Sequence, residues 1–96
     1  MKRSLGLIEV IGTVTAMIAI DAMSKHAFVE VIKVEEAGSG LLTIMIEGDL
    51  ASVQAALEVG ATQASHHGEV VTMKSIPKPD DKMYGKLIPD KEGDSA

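Results

Sequence analysis

The order of strand-like and helix-like segments is the feature that most constrains this fold. Residues 14–26 and 50–67 place apolar side chains at helical spacing. The segments around them are rich in Val, Ile and Leu, which is typical of strands, and they cover residues 4–12, 28–36, 41–49 and 69–79. The predicted order is therefore β-α-β-β-α-β. This is the α+β, ferredoxin-like arrangement, in which a four-stranded antiparallel sheet carries both helices on one face.

Local signals refine this prediction at three places. The sequence AGSG at 37–40 separates two strand runs and predicts the turn of an antiparallel hairpin. Thr13 or Thr15 is expected to cap the first helix through its hydroxyl, since a cap of this kind satisfies a free N–H of the first turn. Gly60 lies inside the second helix, where glycine costs about 1 kcal/mol relative to alanine. A neighbouring element is therefore expected to approach it closely.

The length of 96 residues allows one domain. We expect this domain to cover residues 1–90, with a short helical turn at 80–90. The remaining KEGDSA, residues 91–96, is expected to be a flexible polar tail because it is small and charged.

Composition excludes several classes of protein. The chain is 46% hydrophobic but has one Phe, one Tyr and no Trp, so small aliphatic side chains must fill its core and any subunit interface. A formal charge of −5 argues against binding to nucleic acid. Glu9 and Asp21 interrupt the apolar N-terminal stretch, which argues against a membrane span or signal peptide. With no cysteine for a disulfide framework, we expect a cytoplasmic protein.

No grouping of side chains predicts an active site or a metal site. Ser39 lies between glycines but has no base and no orienting partner in its motif. Glu35 and Glu36 should point to opposite faces of a strand, so they cannot act together as acid and base. His66 and His67 would diverge by about 100° on a helix, which prevents chelation of one ion. The residues alone predict a small oligomeric domain with no enzymatic activity, no cofactor and no metal.

Six short motifs, taken in order and at their spacing, carry a family resemblance. They are LGLIEVIG near the start, DAMSKHA at 21–27, GSG at 38–40, EGD at 47–49, HHGEV at the end of the second helix, and IPKP at 76–79. From about residue 4 to residue 90, the chain resembles the single-domain shell proteins of bacterial microcompartments. These proteins are the tiles of carboxysomes and of catabolic organelles.

The resemblance implies a flat cyclic homo-hexamer in which six hairpin loops meet on the axis and form a narrow pore for small polar metabolites. It places Glu36, Ala37, Gly38, Ser39 and Gly40 at this pore. The two glycines are expected because six backbones crowd around one axis, and Ser39 would offer a hydroxyl and an amide to passing solutes. Relatives often carry a lysine and an aliphatic residue where this chain has Glu36 and Ala37. Other shell proteins and encapsulated enzymes are the implied partners.

The resemblance also implies an edge at which hexamers lie side by side, formed by Lys25, Phe28, Pro77, Lys78 and Asp80. Lys78 stands where relatives carry an arginine, whose planar fork a lysine does not reproduce. Phe28 replaces an often polar residue, and Asp80 replaces a frequent histidine.

A second hypothesis comes from a different class, since a ferredoxin-like fold does not by itself assign a function. The chain could serve as a ligand-binding regulatory domain that forms dimers or trimers. Such a domain would hold a small-molecule pocket at its subunit interface.

Overall fold

The predicted order of elements is confirmed. A computed structural model describes residues 3–26 and 28–77, so the predicted turn at 80–90, the tail at 91–96, Lys78 and Asp80 lie outside the described residues. The elements are β1 (Ser4–Ile11), α1 (Thr13–Ser24), β2 (Val29–Glu36), β3 (Leu41–Gly48), α2 (Leu50–Ser65) and β4 (Val70–Ile76). Each helix ends two residues before its predicted end.

The four strands form one antiparallel sheet in the order β2-β3-β1-β4. Strand β1 lies inside the sheet, and its Ile8 pairs with Ile44 of β3 on one side and with Met73 of β4 on the other. At a rise of about 3.4 Å per residue, strands of this length separate the two ends of the sheet by about 25 Å. Connections at opposite ends are therefore far apart.

Strand β2 contains an irregularity that explains its loose apolar alternation. The pairing register with β3 shifts between Val31 and Lys33. Val31 pairs with Ile46 before the shift, and Val34 pairs with Ile44 after it, so both valines lie on the same face as those core residues. The extra residue at this bulge therefore brings Val34 to the same sheet face as Val31, although the two are three positions apart.

The main core lies between the helices and one face of the sheet. Its buried members are aliphatic side chains or Met23, in agreement with the small number of aromatic residues. They are Ile8, Val10, Ala16, Ala19, Met23, Ile44, Ile46, Val53, Ala56, Leu57 and Ala64. A second cluster contains Leu5 and Met45, with Leu7, Ile32 and Ile76 packed against it. The sheet is therefore not uniformly exposed on the face opposite the helices.

The predicted threonine cap of α1 is wrong. The N-cap residue is Gly12, at φ 100°, and no side chain caps the helix. Thr15 is buried, and its hydroxyl occupies the space that a Cβ on Gly68 would need. Packing of the helix start against the α2–β4 connection therefore overrides the capping preference.

Asp49 caps α2. One carboxylate oxygen accepts a bond from the Ser52 N–H at 3.0 Å, and the other accepts from the Ser52 hydroxyl at 2.8 Å. These bonds, the backbone one first, hold the pKa of Asp49 below its ordinary value. The helix start is thereby fixed directly after β3.

Gly60 marks the close approach between α1 and α2, as predicted. A Cβ at this position would lie 2.6 Å from Cγ of Met23 and 3.5 Å from the carbonyl oxygen of Ala19. Met23 is fully buried, so its side chain has little freedom to move away. The absence of a side chain at Gly60 lets the two helices pack.

We predict that Gly60→Ala lowers the free energy of unfolding by about 1–3 kcal/mol, because overpacking outweighs the better helix propensity of alanine. Denaturant unfolding measures this change. Met23→Ala makes room for the new methyl group, so the double variant should lose less stability than the two single losses added together. A Gly60→Ala protein more stable than the parent would contradict the close approach.

Candidate functional site

The hairpin loop between β2 and β3 contains the five residues of the predicted pore in one exposed segment. Glu36, Ala37, Gly38 and Ser39 are exposed, and Gly40 is half-buried. The N–H of Ala37 donates to the Leu41 carbonyl at 2.9 Å, and the N–H of Leu41 donates to the Gly38 carbonyl at 3.0 Å. The predicted antiparallel hairpin is confirmed.

Two adjacent amides at the end of β1 bond this loop and the α2–β4 connection. The N–H of Gly12 donates to the Gly40 carbonyl at 2.8 Å, and the N–H of Ile11 donates to the Glu69 carbonyl at 3.0 Å. The β1–α1, β2–β3 and α2–β4 connections are thus held together by backbone hydrogen bonds. Backbone contacts of this kind set the position of the loop independently of its side chains.

The glycines of the loop have a conformational reason within a single chain. Gly38, Ser39 and Gly40 all have positive φ, at 93°, 56° and 79°. A Cβ on Gly38 would meet nothing within 4 Å, so open space alone does not require glycine there. Ser39 adopts a left-handed conformation that is unusual for a residue with a side chain. Crowding of six backbones is not needed to explain this motif, and it stays a prediction.

We predict that Gly38→Ala lowers the free energy of unfolding by about 1–2 kcal/mol, since alanine is strained at positive φ. Chemical denaturation of the single chain provides the measurement. Ser39→Gly is the matched control and should not destabilise the protein in this way, because it relieves the same strain at the next position. An unchanged stability in Gly38→Ala would show that the loop adapts and that its glycine has another cause.

The loop end of the domain is acidic. Glu35, Glu36 and Glu69 are all exposed there, and the neighbouring segments 10–16, 34–42 and 64–71 contain neither Lys nor Arg. Six chains at a formal −5 each would carry −30 together. In a ring, the exposed carboxylates nearest the loops would create a negative field around the axis.

Two residues of the predicted edge come together in an open hollow between α1 and α2. This hollow has a volume of about 660 Å³. It is lined by Ile18, Asp21, Ala22, Lys25, His26, Phe28, Val59 and Gln63. We call it the helix hollow. Phe28 is 72% exposed, which is unusual for the one phenylalanine of the chain. Lys25 forms an ion pair with Asp21 at 3.3 Å, one turn earlier on the helix.

The described residues of the predicted edge lie at the opposite end of the sheet from the predicted pore. Phe28 immediately precedes Val29, which pairs with Gly48 at the end of β3. Pro77 follows the last residue of β4, which pairs with the start of β1, so Pro77 lies at this same end. The hairpin loop is about one strand length, or about 25 Å, away.

Exposed apolar side chains lie on both sides of the domain. Val14 and Met17 of α1 are 65% and 62% exposed, and α1 lies over the β2 side of the sheet. Val71 and Met73 of β4, the opposite edge strand, are 47% and 49% exposed. From their residue type and their aliphatic neighbours, Met17 and Met73 are expected to fill the core, and this expectation is wrong because both side chains are exposed. Helical spacing alone does not show which apolar side chains reach the core.

The described residues contain no cluster of three or more His, Cys, Asp or Glu side chains placed to hold a metal ion. His66 and His67 are exposed beyond the end of α2. Neither helix of this part of the chain has the length and hydropathy needed to cross a membrane.

The chain is similar to known shell proteins. Residues 4–79 match the family model described as BMC domain. The chain is 41% identical to the bacterial microcompartment shell protein PduA of Citrobacter freundii, over 81% of this chain and 84% of that protein. It is 43% identical to the shell protein EutM of Escherichia coli K12, over 80% of this chain and 79% of that protein.

Longer proteins also match. The chain is 46% identical to the shell protein EutK of Escherichia coli K12 over 84% of its own length, but it spans only 49% of EutK. A crystal structure of a microcompartment protein from Desulfitobacterium hafniense matches 85% of this chain with a TM-score of 0.77 and 30% identity. The chain spans 44% of that protein.

Proposed function

The chain belongs to the BMC domain family, whose members named above are microcompartment shell proteins, and we propose that it forms a cyclic hexamer with a central pore. Its role is structural and not catalytic, in the cytoplasmic protein shell of a bacterial microcompartment. The homo-hexamer would tile with other shell proteins around encapsulated enzymes. The proposed shell domain covers residues 1–90, beyond the matched residues 4–79, and residues 91–96 form a flexible polar tail.

The observation that carries this proposal is the position of the hairpin loop. Glu36 to Ser39 are exposed at one end of the domain, and the Gly12–Gly40 hydrogen bond fixes the loop there. An exposed loop held by backbone contacts at one end of a subunit suits the lining of an axial pore. Ser39 would present its hydroxyl to small polar solutes, and Gly38 and Gly40 would keep the passage clear.

The apolar sides support a ring. A head-to-tail ring requires two different surfaces on each subunit, one for each neighbour. Val14 and Met17 on the α1 side, with Val71 and Met73 on the β4 side, provide apolar surface for both contacts. Burial of these side chains between neighbours would stabilise the ring, at roughly 25 cal/mol per Å² of apolar area.

The far end of the domain would form the hexamer edge. Lys25, Phe28 and Pro77 lie at this end, and Lys78 and Asp80 follow in the sequence. Phe28 adds an apolar ring where relatives often carry a polar residue, and Lys78 replaces the planar fork of an arginine with a point charge.

The test of the hexamer is the native mass of the purified protein at low micromolar concentration, followed by electron microscopy. We expect a mass near six times 10.1 kDa. A monomer, dimer or trimer that binds a small molecule saturably would instead support the regulatory-domain hypothesis.

We predict that Ser39→Leu hinders solute passage and leaves the hexamer intact, because the larger side chain narrows the passage. The measurement is the rate at which an enzyme enclosed in reconstituted shells consumes external substrate. Ser39→Ala is the control, since it shares the backbone conformation but adds no bulk, and its rate should stay near that of the parent. A Ser39→Leu protein that runs as a monomer would show that the loop acts in assembly or folding.

We also predict that anions cross the pore more slowly than neutral solutes of similar size, because six copies of Glu36 repel them. Glu36→Gln should raise the anion rate and leave the neutral rate unchanged in the same shells. The difference should shrink at high salt, which screens exposed charges. An anion rate that is the same in Glu36→Gln would remove Glu36 from the pore lining.

A further inference from the structure

The helix hollow has the chemistry of a surface that can contact a second copy of itself. Its apolar lining comes from Ile18, Ala22 and Val59, and the exposed ring of Phe28 stands at its border. The hollow is open to solvent, and its volume of about 660 Å³ exceeds that of a single aromatic side chain. If two copies meet at this surface, the aromatic ring of each copy can enter the hollow of the other. Both the exposed ring and the apolar lining are then buried.

The charges of the same surface are also self-complementary. Asp21 and Lys25 have opposite signs, and their side chains are 71% and 75% exposed. A two-fold axis through the hollow brings residue i of one copy to residue j of the other, and the reverse. Lys25 of each copy can then face Asp21 of its partner. His26 also lines the hollow and is the third titratable group there.

We propose that the helix hollow is a two-fold contact between copies of this chain, in which Phe28 of each copy enters the hollow of the other. Lys25 and Asp21 form reciprocal ion pairs around the buried rings. The proposal deepens the proposed function, since it assigns the hexamer edge to an apolar exchange that the altered residue Phe28 makes possible. The contact lies at the end of the domain away from the hairpin loop, so it joins rings and does not close them.

The first test removes the aromatic ring. Phe28→Ala should weaken the association between rings at least tenfold, as expected for an anchor at the centre of a small interface. Sedimentation velocity over a concentration series measures this, and the hexamer mass at low concentration should not change. Association equal to that of the parent would overturn the proposal, and loss of the hexamer itself would place Phe28 in the ring contact.

The second test separates contacts between chains from contacts within one. Lys25→Asp leaves two negative charges on the surface, and Asp21→Lys leaves two positive charges, so each variant alone should repel its own copies. Neither variant keeps the ion pair within its chain. Association restored to within about threefold of the parent when the two variants are mixed must therefore come from pairs between chains. Mixed samples that associate no better than either variant alone would overturn the proposal.

A matched control makes the same changes elsewhere. Lys33→Asp and Glu35→Lys alter β2 residues that pair with Met45 and Thr43, on the sheet face opposite the main core. Mixing these two variants should give no gain in association, whereas an equal gain would show nonspecific attraction and contradict the proposal. The hexamer is read separately from the low-concentration mass. If no hexamer forms but mixing still restores pairing, the two-fold contact stands and the ring fails.

Discussion

The hydrogen bonding of strand β1 on both of its edges is the constraint on which the rest of the structure depends. β1 pairs with β3 from Ser4 to Ile11 and with β4 from Leu5 to Val10, and the two amides at its end bond two of the connections. The N–H of Ile11 bonds the α2–β4 connection, and the N–H of Gly12 bonds the hairpin loop. Strand β1 therefore sets the register of its two neighbours, β3 and β4, and its end fixes the position of the candidate pore. A register slip of β1 by one residue would reverse its faces and expose Ile8 and Val10.

Much of the fold could be predicted because the segment order allows few arrangements, whereas details that depend on contacts between segments could not. The bulge in β2 appears in the sequence only as a loose alternation, since pairing with β3 decides which valines face the core. The capping prediction failed because Thr15 packs against Gly68, a residue 53 positions later in the chain. The close approach at Gly60 was predictable, because an unfavourable residue inside a helix requires a reason.

The sequence indicated the residues of the pore and the edge, but it did not indicate the helix hollow. The family resemblance assigns the GSG motif to a pore and Lys25, Phe28 and Pro77 to an edge, and in the structure the motif lies at the opposite end of the sheet from Phe28 and Pro77. The helix hollow could not be foreseen, because it combines α1 residues with Val59 and Gln63 of α2. Only the spacing of Asp21 and Lys25, four residues apart, gave a signal, and that signal indicates a pair within one helix. Only the structure shows that Asp21 and Lys25 lie beside the exposed Phe28, so that this surface can pair with a second copy of itself.

The two proposed contacts should differ in strength, and this difference bears on how a shell can form. The ring contact would bury apolar side chains on two long sides of each subunit, whereas the two-fold contact has one aromatic anchor and exposed charges. Exposed ion pairs contribute little, with a median of about 0–1 kcal/mol, and salt weakens them. Rings would therefore form first and remain intact, while contacts between rings could break and form again. A layer built from stable rings with reversible edges can correct misplaced tiles, which a single class of strong contact would not permit.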